Sequence, residues 1–266
     1  MIKLFVTDID GTLLVPGKKI SERNIEAVHK MLAAGVKVVI ATGRMHSAAL
    51  PVAAQLGVAV PIISYNGALI KSSAGEILHE QYIDKAKVLA LINFFEERDW
   101  HLQSYSGDVL YVPDKSDDGV KFYETMLNVT AVEVGWDGLR GHIKDVPKLL
   151  SVSPTPDETN ARLAAVEKVF GGQVEITRSA PRFCEFMPLG VSKASAIKIL
   201  ADKFNIDNEE ILAIGDSDND LPMITSAGCG VAMGNAVDSV KKACSRITDT
   251  CENDGFAKAV YDYVLI

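Results

Sequence analysis

An apolar run, Leu4-Phe5-Val6, leads into two carboxylates, Asp8 and Asp10, with Gly11 directly behind them. In an extended chain, side chains at i and i+2 point to one face. If the strand stops near Asp8 and the chain turns, one carboxylate and the backbone beside the other can converge on a point. Two like charges that close repel each other unless a cation or a shared proton intervenes. A chain that buries this strand must therefore find compensating charge elsewhere in its length.

The segments that follow repeat one rhythm. Ser21 predicts an N-cap for a helix over 22–34, with Ile25, Val28, Met31 and Leu32 at helical spacing. Val36 to Ala41 is a β-branched run of the kind buried on both faces of a sheet. It ends in Thr42-Gly43-Arg44, and a helix to about Leu56 follows. A strand over 61–65 then meets Asn66-Gly67, a hairpin signal. Strand, helix, strand, helix, strand is the βαβ pattern of a parallel sheet.

From about Ile83 the pattern changes. A helix over 85–97, a hairpin around Gly107-Asp108, a helix over 117–126, a strand over 149–153, a helix over 157–170 and an antiparallel pair over 174–178 and 183–187 predict an α+β insert. The parallel rhythm resumes with a helix capped by Ser192, a strand over 211–214 ending in Gly215-Asp216-Ser217-Asp218-Asn219-Asp220, a helix to Ala227, and a strand around 231–233. A helix over 237–243, a short strand at 246–248 and a C-terminal helix complete it. The expected architecture is α/β, a doubly wound parallel-sheet core with an inserted α+β domain. The expected bounds are 1–82 and 189–266 for the core and 83–188 for the insert.

Composition narrows the function. The chain has 266 residues, 48% hydrophobic and 23% charged, and a net charge of −8 from 35 acidic and 27 basic residues. No basic face stands out, which argues against a nucleic-acid partner. No apolar run approaches the roughly 18 residues of a membrane span. Cys184, Cys229, Cys244 and Cys251 form no C-x-x-C, and the N-terminus enters a strand without a secretory leader, so reduced thiols and a cytoplasmic location are expected. The five histidines form no close ligand pair, so zinc is not expected. His46 reads as a helix-surface histidine.

Four features stand at strand ends or helix starts of the α/β part: Asp8/Asp10, Thr42-Gly43, Lys193 and Asp216/Asp220. Open parallel sheets bind ligands beyond the carboxyl ends of their strands. Carboxylates without histidine or thiolate suit a hard cation such as Mg²⁺. Lysine, threonine hydroxyl and backbone amides suit phosphate oxygens. An aspartate beside a cation and an electrophilic phosphorus can be a nucleophile, and a second carboxyl two residues on can serve as acid and then base.

These motifs, Asp8-Ile9-Asp10-Gly11-Thr12, Ala41-Thr42-Gly43-Arg44, Gly190-Val191-Ser192-Lys193 and Gly215-Asp216-Ser217-Asp218-Asn219-Asp220, resemble the four motifs of the haloacid dehalogenase-like hydrolases. The insert is similar to the α+β cap of the Cof-type phosphatases. The resemblance implies Asp8 as nucleophile and Asp10 as acid/base. It implies Ile9, Thr42, Gly43, Lys193 and Asn219 as phosphate ligands, and Asp8, Asp10, Asp216 and Asp220 as the Mg²⁺ set, with Asp220 binding directly or from behind. The implied activity is Mg²⁺-dependent hydrolysis of phosphate monoesters of small metabolites, sugar phosphates foremost, through an aspartyl-phosphate, with the cap closing over the site. A phosphotransferase or mutase using the same intermediate and a non-turnover phospho-ligand regulator stay open as alternatives. A monomer or weak homodimer is expected. Arg178, Arg182, Cys184 and Glu185 are candidates for cap residues that set specificity, with Arg182 and Glu185 alternatively forming a surface pair.

Overall fold

The computed structural model describes residues 1–265. The chain forms two compact units. One comprises Met1–Arg44, Ala49–His79 and the chain from Ser192 onward, and the other comprises Met45–Ala48 and Glu80–Val191.

The chain opens with β1 (Leu4–Thr7), α1 (Glu22–Ala33), β2 (Lys37–Ala41), α2 (His46–Ala53) and β3 (Ile62–Ser64). The Ser21 hydroxyl accepts from the Asn24 amide at the start of α1, as its position predicts. A hairpin through Asn66-Gly67 leads to β4 (Leu69–Lys71), antiparallel to β3, and then to β5 (Ile77–Glu80).

The insert contributes α3 (Lys85–Glu96), β6 (Gln103–Ser106), β7 (Val109–Val112), α4 (Asp118–Leu127), β8 (Val132–Glu133) and α5 (Gly135–Gly141). It continues with β9 (Leu149–Val152), α6 (Pro156–Phe170), β10 (Glu175–Thr177) and β11 (Phe183–Met187). The chain then returns through α7 (Lys193–Phe204), β12 (Ile211–Gly215), α8 (Leu221–Ser226), β13 (Cys229–Ala232), α9 (Asp238–Ala243) and α10 (Gly255–Tyr263).

Among the described residues the first unit's sheet runs β13-β12-β1-β2-β3-β4-β5, parallel from β13 through β3. All four residues of β1 are buried whichever way they point, so both faces of the sheet are covered. Phe5 meets Phe256 of α10 edge to face at 5.4 Å. The strand expected at 246–248 is a single bridge, Ala232 to Ile247. The Thr248 hydroxyl is drawn to the Gly255 carbonyl, so the chain leaves the sheet edge after one pairing.

The insert's sheet runs β10-β11-β9-β6-β7-β8. Alternation along it separates two faces. Leu149, Cys184 and Phe186 pack with Phe95 of α3 and Val166 of α6 in an apolar core, so Cys184 is a core residue. Glu185 lies on the opposite face, where its carboxylate accepts from Lys148 at 3.3 Å and from Ser179 at 2.7 Å. Arg182 instead donates to the Ser153 carbonyl and lies over Phe122. Arg182, just before β11, and Glu185 within it thus turn to different partners rather than to each other. Neither α5 nor β8 has a strong sequence signal. Three glycines make α5 a poor helix by propensity, and it is tied down by Arg140, which donates to Asn93, Asp137 and Glu96.

A buried histidine gives the insert an acid-labile point. His101 Nδ1 accepts from the Val152 amide at 2.9 Å, so the proton of the neutral ring sits on Nε2, a buried atom with no hydrogen-bond partner among the described residues. Burial outweighs the nearby Asp117 carboxylate and lowers the His101 pKa to about 4. The folded pKa is depressed, so the unfolded chain takes up this proton first as pH falls. Stability should drop by roughly 3 kcal/mol between pH 6.5 and 4. His101→Asn, whose side-chain oxygen can replace Nδ1 as acceptor, should flatten that part of the curve of urea stability against pH. An unchanged curve would remove His101 as its cause.

Candidate active site

Sheet register sets the site. Thr7 lies opposite Ile40 of β2 and Ile214 of β12, so three parallel strands end level and release Asp8, Thr42 and Asp216 side by side. The Asp8 amide still donates to the Ile214 carbonyl, and the chain turns immediately afterwards. Gly11 has φ +78°, and a Cβ there would stand 2.6 Å from Asp216 Oδ2. Only glycine lets the turn come this close. Thr12 then donates its hydroxyl to Asp216 Oδ1 at 3.1 Å.

The compensating charge is Lys193, the first residue of α7. Its fully buried ammonium donates to Asp8 Oδ1 at 2.7 Å and to Asp220 Oδ1 at 2.5 Å. Burial alone would lower its pKa, but Asp220 and Asp8 reverse that and hold it above the usual lysine range. The other oxygen of Asp220 accepts the amides of Asp216 and Ser217 at 2.9 and 3.0 Å. Asp220 thus ties the loop after β12 to Lys193.

Asp8, Asp216 and Asp220 offer oxygens within 4.8 Å of one another. Burial raises the pKa of Asp8 well above normal, with Lys193 opposing and the neighbouring carboxylates adding to the rise. Burial and then Asp220 raise Asp216 to about 7. One lysine among three carboxylates, two of them buried and Asp216 partly so, leaves surplus negative charge when all three are ionised. The donors are oxygen only, with no histidine or cysteine in the group, and that is the set a hard divalent cation takes.

The other expected residues fall in two groups. Thr42 is 1% exposed. Its amide is committed to the Ile63 carbonyl and its hydroxyl accepts from the Arg44 amide, so it has the hydroxyl hydrogen left to give a ligand. Ile9 lies inside the turn, its carbonyl accepting from Leu14. Asn219 is buried, its amide nitrogen 2.9 Å from Asn66 Oδ1. Asp10 stands apart from the carboxylate group of Asp8, Asp216 and Asp220. Arg44 grips it with two bonds, Nε to Oδ2 at 2.7 Å and a terminal nitrogen to Oδ1 at 2.6 Å. His46 is buried at the start of α2, not on a helix surface.

The grip of Arg44, the bond from Thr12 and the contact with Asn66 are absent from the sequence reading. Arg44 and Thr12 sit inside the motifs, and their residue types, a guanidinium and a hydroxyl next to carboxylates, were the available signal. Asn66-Gly67 carried only a turn signal.

A doubly wound sheet with an inserted α+β unit and a lysine-bridged carboxylate group at its strand ends defines a class of hydrolase. The profile of the haloacid dehalogenase-like hydrolases matches residues 5–260, and the chain belongs to that family. It is 32% identical to the 5-amino-6-(5-phospho-D-ribitylamino)uracil phosphatase YcsE of Bacillus subtilis, over 99% of this chain and 96% of that one. A haloacid dehalogenase-like hydrolase from Bacteroides thetaiotaomicron superimposes with TM-score 0.87 at 32% identity, covering 98% of this chain and 99% of the other. The subclass IIB sugar phosphatase BT4131 superimposes with TM-score 0.86 at 28% identity, covering 99% and 100%. The chain is accordingly a phosphatase of the Cof type, with a Rossmann-like core and cap. No helix among the described residues is long and apolar enough to cross a membrane.

The raised pKa of Asp216 has a measurable sign. Its folded pKa, about 7, exceeds the value of 3.8 for an unperturbed aspartate. The folded chain holds this proton where the unfolded chain has lost it, and the resulting stability is lost as pH rises through 7. In magnesium-free buffer the melting temperature should therefore fall between pH 6 and 8. Adding Mg²⁺ should raise it more at pH 8, where no proton has to be displaced. An equal Mg²⁺ shift at both pH values would count against protonated carboxylates at the site.

Proposed function

We propose that this phosphatase hydrolyses phosphate monoesters of small metabolites, sugar phosphates by class, through an aspartyl-phosphate on Asp8. The observation that carries the reading is the buried Asp8–Lys193–Asp220 bridge at the mouth of β1. It fixes the position of one Asp8 oxygen and sets a cation beside it, which opposes the rise that burial imposes on its pKa and favours the charged, nucleophilic carboxylate.

In this reading Asp8 attacks phosphorus and the ester oxygen leaves. Asp10, released from Arg44 and protonated, gives that oxygen its proton. Asp10 then takes a proton from water, which attacks the aspartyl-phosphate and frees Asp8 and inorganic phosphate. Lys193, the Thr42 hydroxyl, the amides of Ile9 and Gly43 and the Asn219 carboxamide hold the phosphate oxygens. Asp8 and Asp216, with the backbone carbonyl of Asp10, would hold the divalent ion. Asp220 supports them from behind, since one of its oxygens is bound to Lys193 and the other to two amides. Magnesium bound there would offset the charge of the phosphoryl group.

The substrate class is supported by the relatives. One is a phosphatase for a phospho-ribityl compound and another is a sugar phosphatase. Both names describe a phosphate on a hydroxyl-rich carbon chain. The same reading takes the protein to act on free metabolites in the cytoplasm, as a monomer or weak homodimer, without nucleic acid or membrane.

Asp8→Asn should cut phosphate release from p-nitrophenyl phosphate by ~10³-fold or more, because an amide is a poor nucleophile. The unaltered chain should release phosphate from a panel of sugar and polyol phosphates and lose that activity in EDTA. Near-normal turnover by Asp8→Asn sinks the mechanism, and a panel response confined to non-carbohydrate esters sinks the substrate class.

A further inference from the structure

The hairpin beyond β3 is strained. Tyr65 and Asn66, neither of them glycine, both take left-handed backbone, with φ +52° and +56°, and Gly67 continues at +116°. An aromatic residue in that region is an outlier, and consecutive left-handed side-chain-bearing residues are costly. All three residues are buried. Strain that persists in a buried segment is held there by its surroundings, and it concentrates at working sites.

The surroundings are the loop of Thr42-Gly43-Arg44. The Asn66 amide donates to the Thr42 carbonyl and the Tyr65 amide to the Arg44 carbonyl, both at 3.0 Å. In a trans peptide the C=O and the following N–H point in opposite directions. Pulling the Thr42 carbonyl toward Asn66 therefore turns the Gly43 N–H away from the hairpin. The Asn66 side chain completes the arrangement. A Cβ on Gly43 would stand 2.9 Å from Asn66 Oδ1, so the glycine admits the carboxamide. That oxygen accepts from Asn219 Nδ2 at 2.9 Å, across 153 residues of chain. An amide nitrogen has two hydrogens. With one given to Asn66, the amide of Asn219 is locked in one of its two flip states, and its second hydrogen has a fixed direction.

We propose that Asn66 is a positioning residue that aims two phosphate donors, the Gly43 amide and the Asn219 carboxamide, and that the left-handed strain of its hairpin maintains that aim. The inference rests on the reading of Gly43 and Asn219 as phosphate ligands given above. It adds a residue outside the four motifs, and it gives a reason for an asparagine at a position where glycine would sit at ease.

The test uses Asn66→Gly, which tolerates the backbone and removes only the carboxamide. Relief of backbone strain and loss of the buried bond from Asn219 oppose each other, so its melting temperature should shift by only a few degrees. Its inhibition constant for inorganic phosphate and its KM for p-nitrophenyl phosphate should each rise ~10-fold, as expected when one ordered hydrogen bond is lost. In an Asn219→Ala background the same change should add less than about twofold. An unmoved phosphate inhibition constant in Asn66→Gly overturns the proposal, as does a full additional effect in the Asn219→Ala background. Either result, with the unaltered chain still turning over p-nitrophenyl phosphate, leaves the phosphatase reading intact. Absence of turnover by the unaltered chain would count against that reading instead.

Discussion

One buried ammonium lets this core carry its acidic mouth. Lys193 is wholly enclosed and reaches Asp8 and Asp220 at once. Taking a lysine out of water is costly, and so is taking out either carboxylate. Together they are tolerable because every short contact joins opposite charges or a carboxylate to an N–H. The arrangement is also directional. Asp220 is spent on Lys193 and two amides, whereas Asp8 keeps its position at the turn. Three aspartates of one chemical type thus acquire different surroundings: Asp8 shares the lysine at the end of β1, Asp216 accepts from Thr12, and Asp220 braces the loop after β12.

The site's elements were legible in the sequence because each depends on local pattern. A β-branched run that stops at an aspartate marks a strand end, and a serine before a periodic run marks a helix start. The parallel rhythm then implies that those ends lie on one edge. The pairings were less legible, since they join residues far apart in the chain. Arg44 meets Asp10 across 34 residues, and Thr12 meets Asp216 across 204. Nothing in the intervening residues encodes either bond. In the insert, α5 and β8 escaped because tertiary contacts decide them: Arg140 ties down α5, and β8 is a two-residue strand defined by its pairing with β7. The expected strand at 246–248 shows the reverse case, a β-prone stretch that the fold lets pair only once.

The loop after β12 shows how the motif residues depend on residues around them. Asp216 is oriented by Thr12, and its own carbonyl accepts from Val237. Asn235 donates to the Gly11 carbonyl and accepts from the Cys251 amide, each at 2.8 Å. The acidic turn after β1 and the acidic loop after β12 are therefore clamped by the same stretch of chain beyond β13. A change in that stretch would be felt by both carboxylate loops.

The order of strands has a consequence for synthesis. β1 is made first, yet its neighbour β12 begins at Ile211, beyond the whole insert. At a translation rate of about 5–20 residues per second, a nascent chain waits roughly 10–40 s between these two strands. Throughout that interval one edge of β1 lacks its partner, and Asp8 lacks the lysine that neutralises it. The insert can fold meanwhile, since its sheet is drawn from one continuous segment. The surroundings of Asp8 are therefore among the last parts of the molecule to form on the ribosome, and a chain stalled before α7 would hold an unpartnered strand with an acidic tip.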